Sequence, residues 1–336
     1  MRKLRILIAA ASLVIMGAAR AQSEFHFSQI DVPGATFTVA NGINNGQQIV
    51  GRFGNSTGEH GFVYSGGSFT TLDVPGSLST QPFGINDAGQ IVGRFTDSTG
   101  EHGFLYSNGS FTRLNLPVGA INLAADVNNA GQIVGRWVFV NPGAQHGFLY
   151  SGGSYITFDV PGSVSTQPFG INDAGQIVGR AGEQGFLLSG GSYTTLSAPA
   201  ASFTEGVGIN DAGQIVGDFT DSVGISHGFL YNGGYIPIDM PGAFATYAYG
   251  INDAGQVVGA FGNSSTGTHG FVAVAVPEPP SFALLAAGLM SLGFCARRPR
   301  RVWLIRQAAE AIRRRRPASM QRHDGVRSAP FRNPRL

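Results

Sequence analysis

The side chains best suited to chemistry are five histidines, His60, His102, His146, His227 and His269, each followed by Gly-Phe. Imidazole is a common metal ligand and general base, but the ligands of one ion must converge within a few ångströms. These histidines fall one to a repeat, and equivalent positions around a repeated frame point away from one another. Gln184 takes the place in the fourth copy, keeping hydrogen bonding and discarding the imidazole. They are therefore read as structural, each bonding a neighbouring turn, with no metal and no cofactor expected. Asp97 to Glu101 and Asp218 to Gly224 carry oxygen ligands in segments read as loops after a second strand. Neither has the spacing of a dedicated calcium loop, so both are read as solvated turns.

Acid–base catalysis needs two groups in different environments, which a repeat cannot supply except where it departs from itself. The departures are Arg113, Glu183, Glu205 and the third-copy insertion Trp137 to Pro142. No serine elbow, paired-carboxylate motif, phosphate loop or Cys/His metal spacing accompanies them. Aromatic residues are the other candidates, because their faces stack on sugar rings. Phe37, Phe83, Phe169, Tyr247 and Tyr249 fall just before the inner strands, and Trp137 and Phe139 in the longest loop. Trp137, Phe139, Tyr247 and Tyr249 are the candidate ligand-binding residues. The repeated Phe83 and Phe169 are read as packing between units, and inter-unit packing is the competing reading for Trp137.

Six copies of one unit position these residues. Gly-Ile-Asn begins at Gly42, Gly84, Gly170, Gly208 and Gly250, with Asp126-Val127-Asn128 as a variant in the same register, about 42 residues apart. Within a copy, Asn86-Asp87-Ala88-Gly89 is hairpin chemistry: the aspartate bonds locally and the glycine supplies a positive φ. Four short strands per copy joined by hairpins predict a blade, so the expected fold is all-β, a six-bladed β-propeller over residues 22–275. A β-solenoid is the competitor, with coils shorter than this unit and fewer hairpins. The sixth copy lacks its outer strand, and Phe25 to Pro33 matches Ser68 to Pro75 with no unit before it. Pairing of the N-terminal strand with the last blade is expected to close the fold and cover an open edge.

Charge divides the chain in three. Residues 1–22 carry only cations, and residues 23–280 hold five arginines, no lysine and eighteen carboxylates, a net of −13. Residues 281–336 return to +11 with thirteen arginines. An acidic, lysine-free body repels phosphate backbones, so no nucleic-acid partner is expected. Residues 1–21 have a basic start, an apolar run and the small-x-small site Ala19-Arg20-Ala21, a signal peptide handed to the Sec machinery. The single cysteine, Cys295, leaves the body without disulfides. Pro277-Glu278-Pro279 precedes an apolar run, 281–296, and then Arg297, Arg298, Arg300 and Arg301. The run is a short candidate transmembrane helix whose arginine end stays cytoplasmic.

That order of features over residues 276–301 resembles the PEP-CTERM sorting signal of exopolysaccharide-producing Gram-negative bacteria. The resemblance implies transient inner-membrane anchoring, recognition by an exosortase-type enzyme, cleavage near the Pro-Glu-Pro motif and release to the cell surface. Proteins of that family usually stop after the arginine cluster, whereas this chain continues through residues 302–336 as a basic tail read as disordered. The repeats resemble HAF-type extracellular repeats, with His-Gly-Phe where the family has His-Ala-Phe and Gly-Ile-Asn-Asp-Ala-Gly-Gln-Ile-Val-Gly as its second signature. This implies surface localisation and no particular chemistry. Two function classes stay open: a non-catalytic surface or matrix protein associated with exopolysaccharide, and a propeller-fold polysaccharide hydrolase or lyase. Converging carboxylates in a central pocket would favour the second.

Overall fold

The computed structural model describes residues 25–115, 120–139 and 144–276. The signal peptide, the sorting segment from Pro277 and the basic tail lie outside the described residues. Among the described residues there are 24 strands and no helix, hence none long and apolar enough to cross a membrane.

Each sequence copy folds as a four-stranded antiparallel meander, called here a unit. Unit 1 consists of Phe37–Ile43, Ile49–Asn55, Gly58–Ser65 and Ser68–Thr71. Units 2 to 5 span 79–114, 120–158, 166–196 and 203–238. Unit 6 has three strands of its own, Ala245–Ile251, Gln256–Asn263 and Gly267–Ala275. Its fourth is the N-terminal strand Phe25–Ile30, antiparallel to the last with Phe25 opposite Ala275 and Ile30 opposite Gly270. Units 1 and 2 are joined into one eight-stranded sheet by a single parallel bridge, Glu59 to Ser79.

Turn chemistry holds each unit's first two strands in register. Gly89 N–H donates to the Asn86 carbonyl at 3.0 Å, and Gln90 N–H donates to Asn86 Oδ1 at 2.9 Å. Gly89 has φ +74°, a conformation an L side chain rarely adopts. Apolar side chains on both sheet faces then join neighbouring units through six clusters. One packs Val50 of unit 1 with Ile85, Ile91 and Phe104 of unit 2, and another packs Val258 of unit 6 with Ile30, Ile49 and Phe62. The phenylalanine that follows His-Gly or Gln-Gly is buried in every unit, at Phe62, Phe104, Phe148, Phe186, Phe229 and Phe271.

The first strand of every unit carries a β-bulge just before its Gly-Ile-Asn, at Ala124/Asp126 in unit 3. The kink brings a first-strand carbonyl against the second strand. A Cβ at Gly51 would run into the Val39 carbonyl oxygen and one at Gly217 into that of Glu205. That close approach explains the glycine of Ile-Val-Gly in each copy.

Candidate functional site

The six first strands line a central cavity of about 380 Å³. The register skips one residue at each bulge, and the skipped residues are Asn41, Phe83, Ala125, Phe169, Val207 and Tyr249. All six line the cavity. A bulge re-aims one side chain without disturbing the ladder on either side. The frame thus repeats while the residue it presents changes from unit to unit.

At the turn end of the cavity, two hydrogen-bond cycles tie the units together. The Asn44 side-chain amide donates to the Asn86 carbonyl at 3.1 Å, and the relation repeats through Asn128, Asn172 and Asn210 to Asn252. Asn252 donates back to the Asn44 carbonyl at 3.2 Å. In the second cycle each following backbone N–H donates to a side-chain oxygen of the next turn, from Asn45 N–H to Asp87 Oδ1 at 2.8 Å round to Asp253 N–H to Asn45 Oδ1 at 2.9 Å. Amides of Asn45 and Asn129 separate carboxylates on one side, while Asp173, Asp211 and Asp253 follow one another on the other. Desolvation, reinforced by Asp173 and Asp253, holds the Asp211 carboxyl above its usual range. Among the described residues no three His, Cys, Asp or Glu side chains are arranged to hold a metal ion.

Farther along the strands, the residue after Ile-Val-Gly, or Val-Val-Gly in unit 6, is Arg52, Arg94, Arg136, Arg180, Asp218 and Ala260 in units 1 to 6. Arg52 Nη1 donates to Glu59 Oε1 at 2.6 Å, and Arg94 donates to Gln81 Oε1 at 2.8 Å and Glu101 Oε1 at 3.3 Å. Arg180 Nε lies 3.7 Å from Glu205 Oε2. The Arg136 side chain forms no hydrogen bond or ion pair among the described residues. Burial, and then repulsion from Arg94 and Arg180, lowers its pKa below the usual guanidinium range; a guanidinium nevertheless keeps its charge.

Unit 5 is the asymmetric one. Glu205 and Asp218 are directly cross-strand, Glu205 facing the cavity and Asp218 buried behind it. Burial raises both carboxyls, Asp218 being pushed well above its ordinary range with Glu205 adding to the shift, while Arg180 opposes it at Glu205. Unit 3 adds Asp126 where the other units have glycine. Its Oδ1 accepts from Val127 N–H at 2.9 Å and its Oδ2 from Ile171 N–H of unit 4 at 3.0 Å. Burial outweighs those donors and pushes its pKa up to about 7.

The sequence candidates separate cleanly on this geometry. Tyr249, Phe83, Phe169 and Glu205 line the cavity. The aromatic residues expected just before the inner strands lie within them, since Ser79–Ile85 and Ala245–Ile251 include Phe83, Tyr247 and Tyr249. Tyr247 stacks on Tyr249 at 6.1 Å with an interplanar angle of 8° and is not a lining residue of the cavity. Burial, the largest cause, raises the Tyr249 hydroxyl above its ordinary range. Arg113 is exposed on the fourth strand of unit 2, and Glu183 is exposed in a turn. Asp218, expected in a loop, is a buried strand residue, whereas Asp97 and Asp221 accept backbone N–H bonds within their own turns.

Trp137 lies in the strand Ile133–Phe139, which extends into the segment read as a loop; the side chain of Phe139 lies outside the described residues. Trp137 stacks on His146 at 4.4 Å and packs on a core cluster. The same aromatic–histidine pair recurs as Phe53/His60, Phe95/His102, Phe219/His227 and Phe261/His269, and unit 4 replaces both members at once with Ala181 and Gln184. Four of these histidines also bond an aspartate at the end of the unit or in the closing segment: His60 to Asp73, His146 to Asp159, His227 to Asp239 and His269 to Asp31, at 2.7 to 3.0 Å. Trp137→Ala is therefore expected to cost about 1 to 2 kcal/mol of stability and Trp137→Phe much less. Chemical denaturation of the two variants reads this, and an Ala variant as stable as the parent would remove Trp137 from the core.

The sequence expectations missed Arg136 and misplaced Asp218. Arg136 occupies a position that is arginine in four units, so it was absorbed into the repeat, whereas Asp218, at the same position, was read as part of a loop. The available signal lay one step away: the residue before the histidine is Glu59 and Glu101 in units 1 and 2 but Gln145 in unit 3.

No protein-family model matches the chain, and no curated protein matches it. Solved structures similar to it include virginiamycin B lyase from Staphylococcus aureus, 12% identical, covering 75% of this chain and 100% of that one at a TM-score of 0.44. Another is the Aleuria aurantia lectin in complex with Fucα1-6GlcNAc, 12% identical, covering 74% and 98% at 0.43. A third is the PQQ-bound aldose sugar dehydrogenase of Streptomyces coelicolor, 11% identical, covering 75% and 99% at 0.43. These likenesses are too distant to transfer an activity.

Proposed function

We propose that this chain is an exported six-bladed β-propeller, closed by its N-terminal strand, that binds carbohydrate of an exopolysaccharide in its central cavity at the cell surface without catalysis. The observation that carries the reading is the ring of six bulged positions: a fixed frame presents Phe83, Phe169 and Tyr249 among small and polar neighbours to one cavity. Flat rings beside hydrogen-bonding groups suit the apolar faces and hydroxyl edges of sugars. Closure is supported by the two cycles that return from unit 6 to unit 1 and by pairing of Phe25–Ile30 with the last strand. Export by the Sec machinery, transient anchoring by 281–296 and exosortase-type processing near Pro277 to Pro279 complete the reading, on the strength of the signals in the sequence.

A polysaccharide hydrolase or lyase is the second reading, favoured by Asp126 and Glu205, two cavity-lining carboxyls raised by burial. Both are already committed: Asp126 accepts two backbone N–H bonds, and Glu205 is tied to Arg180 and Asp218. That commitment is why binding is preferred. Surface-extracted protein, weighed by mass spectrometry and applied to a glycan array, tests both parts. The expected mature form lacks the arginine cluster and retains one class of glycan, with Phe83→Ala and Phe169→Ala weakening retention about tenfold. A mature form that keeps Arg297 and Arg298 would refute processing, no retained glycan would refute binding, and shortened or unsaturated products from a bound polysaccharide would install the enzyme reading.

A further inference from the structure

We propose that Arg136 docks the carboxylate of an acidic sugar, a hexuronate unit of a polysaccharide, inside the central cavity. The inference rests on the carbohydrate reading above and names the class of sugar.

The argument begins with what unit 3 lacks. In units 1 and 2 the arginine after Ile-Val-Gly is neutralised by the glutamate before the histidine, Arg52 by Glu59 at 2.6 Å and Arg94 by Glu101 at 3.3 Å. The corresponding residue in unit 3 is Gln145, which carries no charge. Its Oε1 is buried without a hydrogen-bond partner among the described residues. Arg136 keeps its place among the cavity-lining residues but has lost the side chain that would pair with it. Glu101 and Glu205 are the carboxylates that act on it, and they already face Arg94 and Arg180. Among the groups that act on Arg136, two carboxylates face two other guanidiniums, and its own positive charge is left over. Asp218, buried behind Glu205 on the neighbouring strand, is not among the groups that act on Arg136.

A desolvated cation without a partner is costly, and a planar guanidinium pairs best with a planar carboxylate through two parallel hydrogen bonds. The surroundings suit a sugar carrying that group. Unit 3 presents only Ala125 at its own bulged position, which leaves room in front of the arginine, while the bulges of units 2 and 4 supply Phe83 and Phe169 on either side. A ring held between those faces can turn its carboxylate toward unit 3.

Isothermal titration of the full chain with digalacturonate, with the neutral digalactose and with galactose 6-sulfate tests this, in the parent, Arg136→Gln and Gln145→Glu. The second variant is the safeguard against misfolding, since it installs the pair already present in units 1 and 2. Digalacturonate is expected to bind the parent at least tenfold tighter than digalactose, and each variant to weaken that binding about ten- to a hundredfold, with Gln145→Glu leaving the affinity for digalactose unchanged. Full digalacturonate affinity in Gln145→Glu would overturn the proposal. Equal affinity of the parent for acidic and neutral sugars would overturn it while leaving the carbohydrate reading intact, and failure to bind any of the three would overturn both. Preference for the sulfated sugar would replace the carboxylate with a sulfate as the recognised group.

Discussion

Deletion of residues 23–33 is expected to abolish cooperative folding or lower the thermal midpoint by well over 10 °C. The deletion removes Phe25–Ile30, whose six residues pair in unbroken register with the last strand. It also takes away buried Ile30, the edge-on contact of Phe27 with Phe271 at 5.5 Å and the bond between Asp31 and His269 at 2.9 Å. Burial of Ile30 alone contributes roughly 1.5 to 3 kcal/mol, and the ladder and aromatic contacts add to it. The stripped strand Gly267–Ala275 then offers a nine-residue edge to any other chain, so aggregation should accompany the loss. Differential scanning calorimetry with size-exclusion chromatography reads both effects. A truncated chain that melts as the parent does would show that unit 6 stands without this strand.

The second large effect concerns acid and base. Asp126 ionises near neutrality in the folded chain but at 3.8 in its ordinary state. A group whose folded pKa is raised stabilises fully below the unfolded value and loses that contribution as pH climbs through the folded one. Stability is therefore expected to fall between pH 5 and pH 8, with Asp126 accounting for roughly 2 to 3 kcal/mol of the fall. Asp126→Gly, which restores the residue used in the other five units, should flatten the curve by that amount. Some slope will remain from Glu205 and Asp218, whose carboxyls burial also raises. Denaturant midpoints at the two pH values decide the matter: parallel curves for parent and variant would mean that Asp126 does not titrate in this range.

The repeat was legible because turns are local chemistry. Asn-Asp-Ala-Gly fixes a hairpin wherever it occurs, so the four strands per unit and the missing sixth outer strand could be read by comparing Phe25 to Pro33 with Ser68 to Pro75. The cavity was less legible, because its lining depends on bulges. Strict alternation assigns residues to faces in twos, and an extra residue before Gly-Ile-Asn breaks that count in every first strand. Phe83 and Phe169 were consequently read as packing, although both line the cavity. Trp137 misled for the opposite reason. Its residue type occurs at no equivalent position, but its task, stacking on the histidine across the strand, recurs in four other units.

The bulges also bear on how such a protein can change over generations. Each first strand is anchored on one side by the asparagine cycle and on the other by a glycine that admits no side chain, so substitutions there are costly. The bulged residue between these anchors sits outside the ladder. Asparagine, alanine, valine, tyrosine and phenylalanine all occupy it within this one chain. Ligand preference can therefore drift by changes at six sites that leave the ladder pairing in place, while duplication of a unit copies the anchor and the bulged position together.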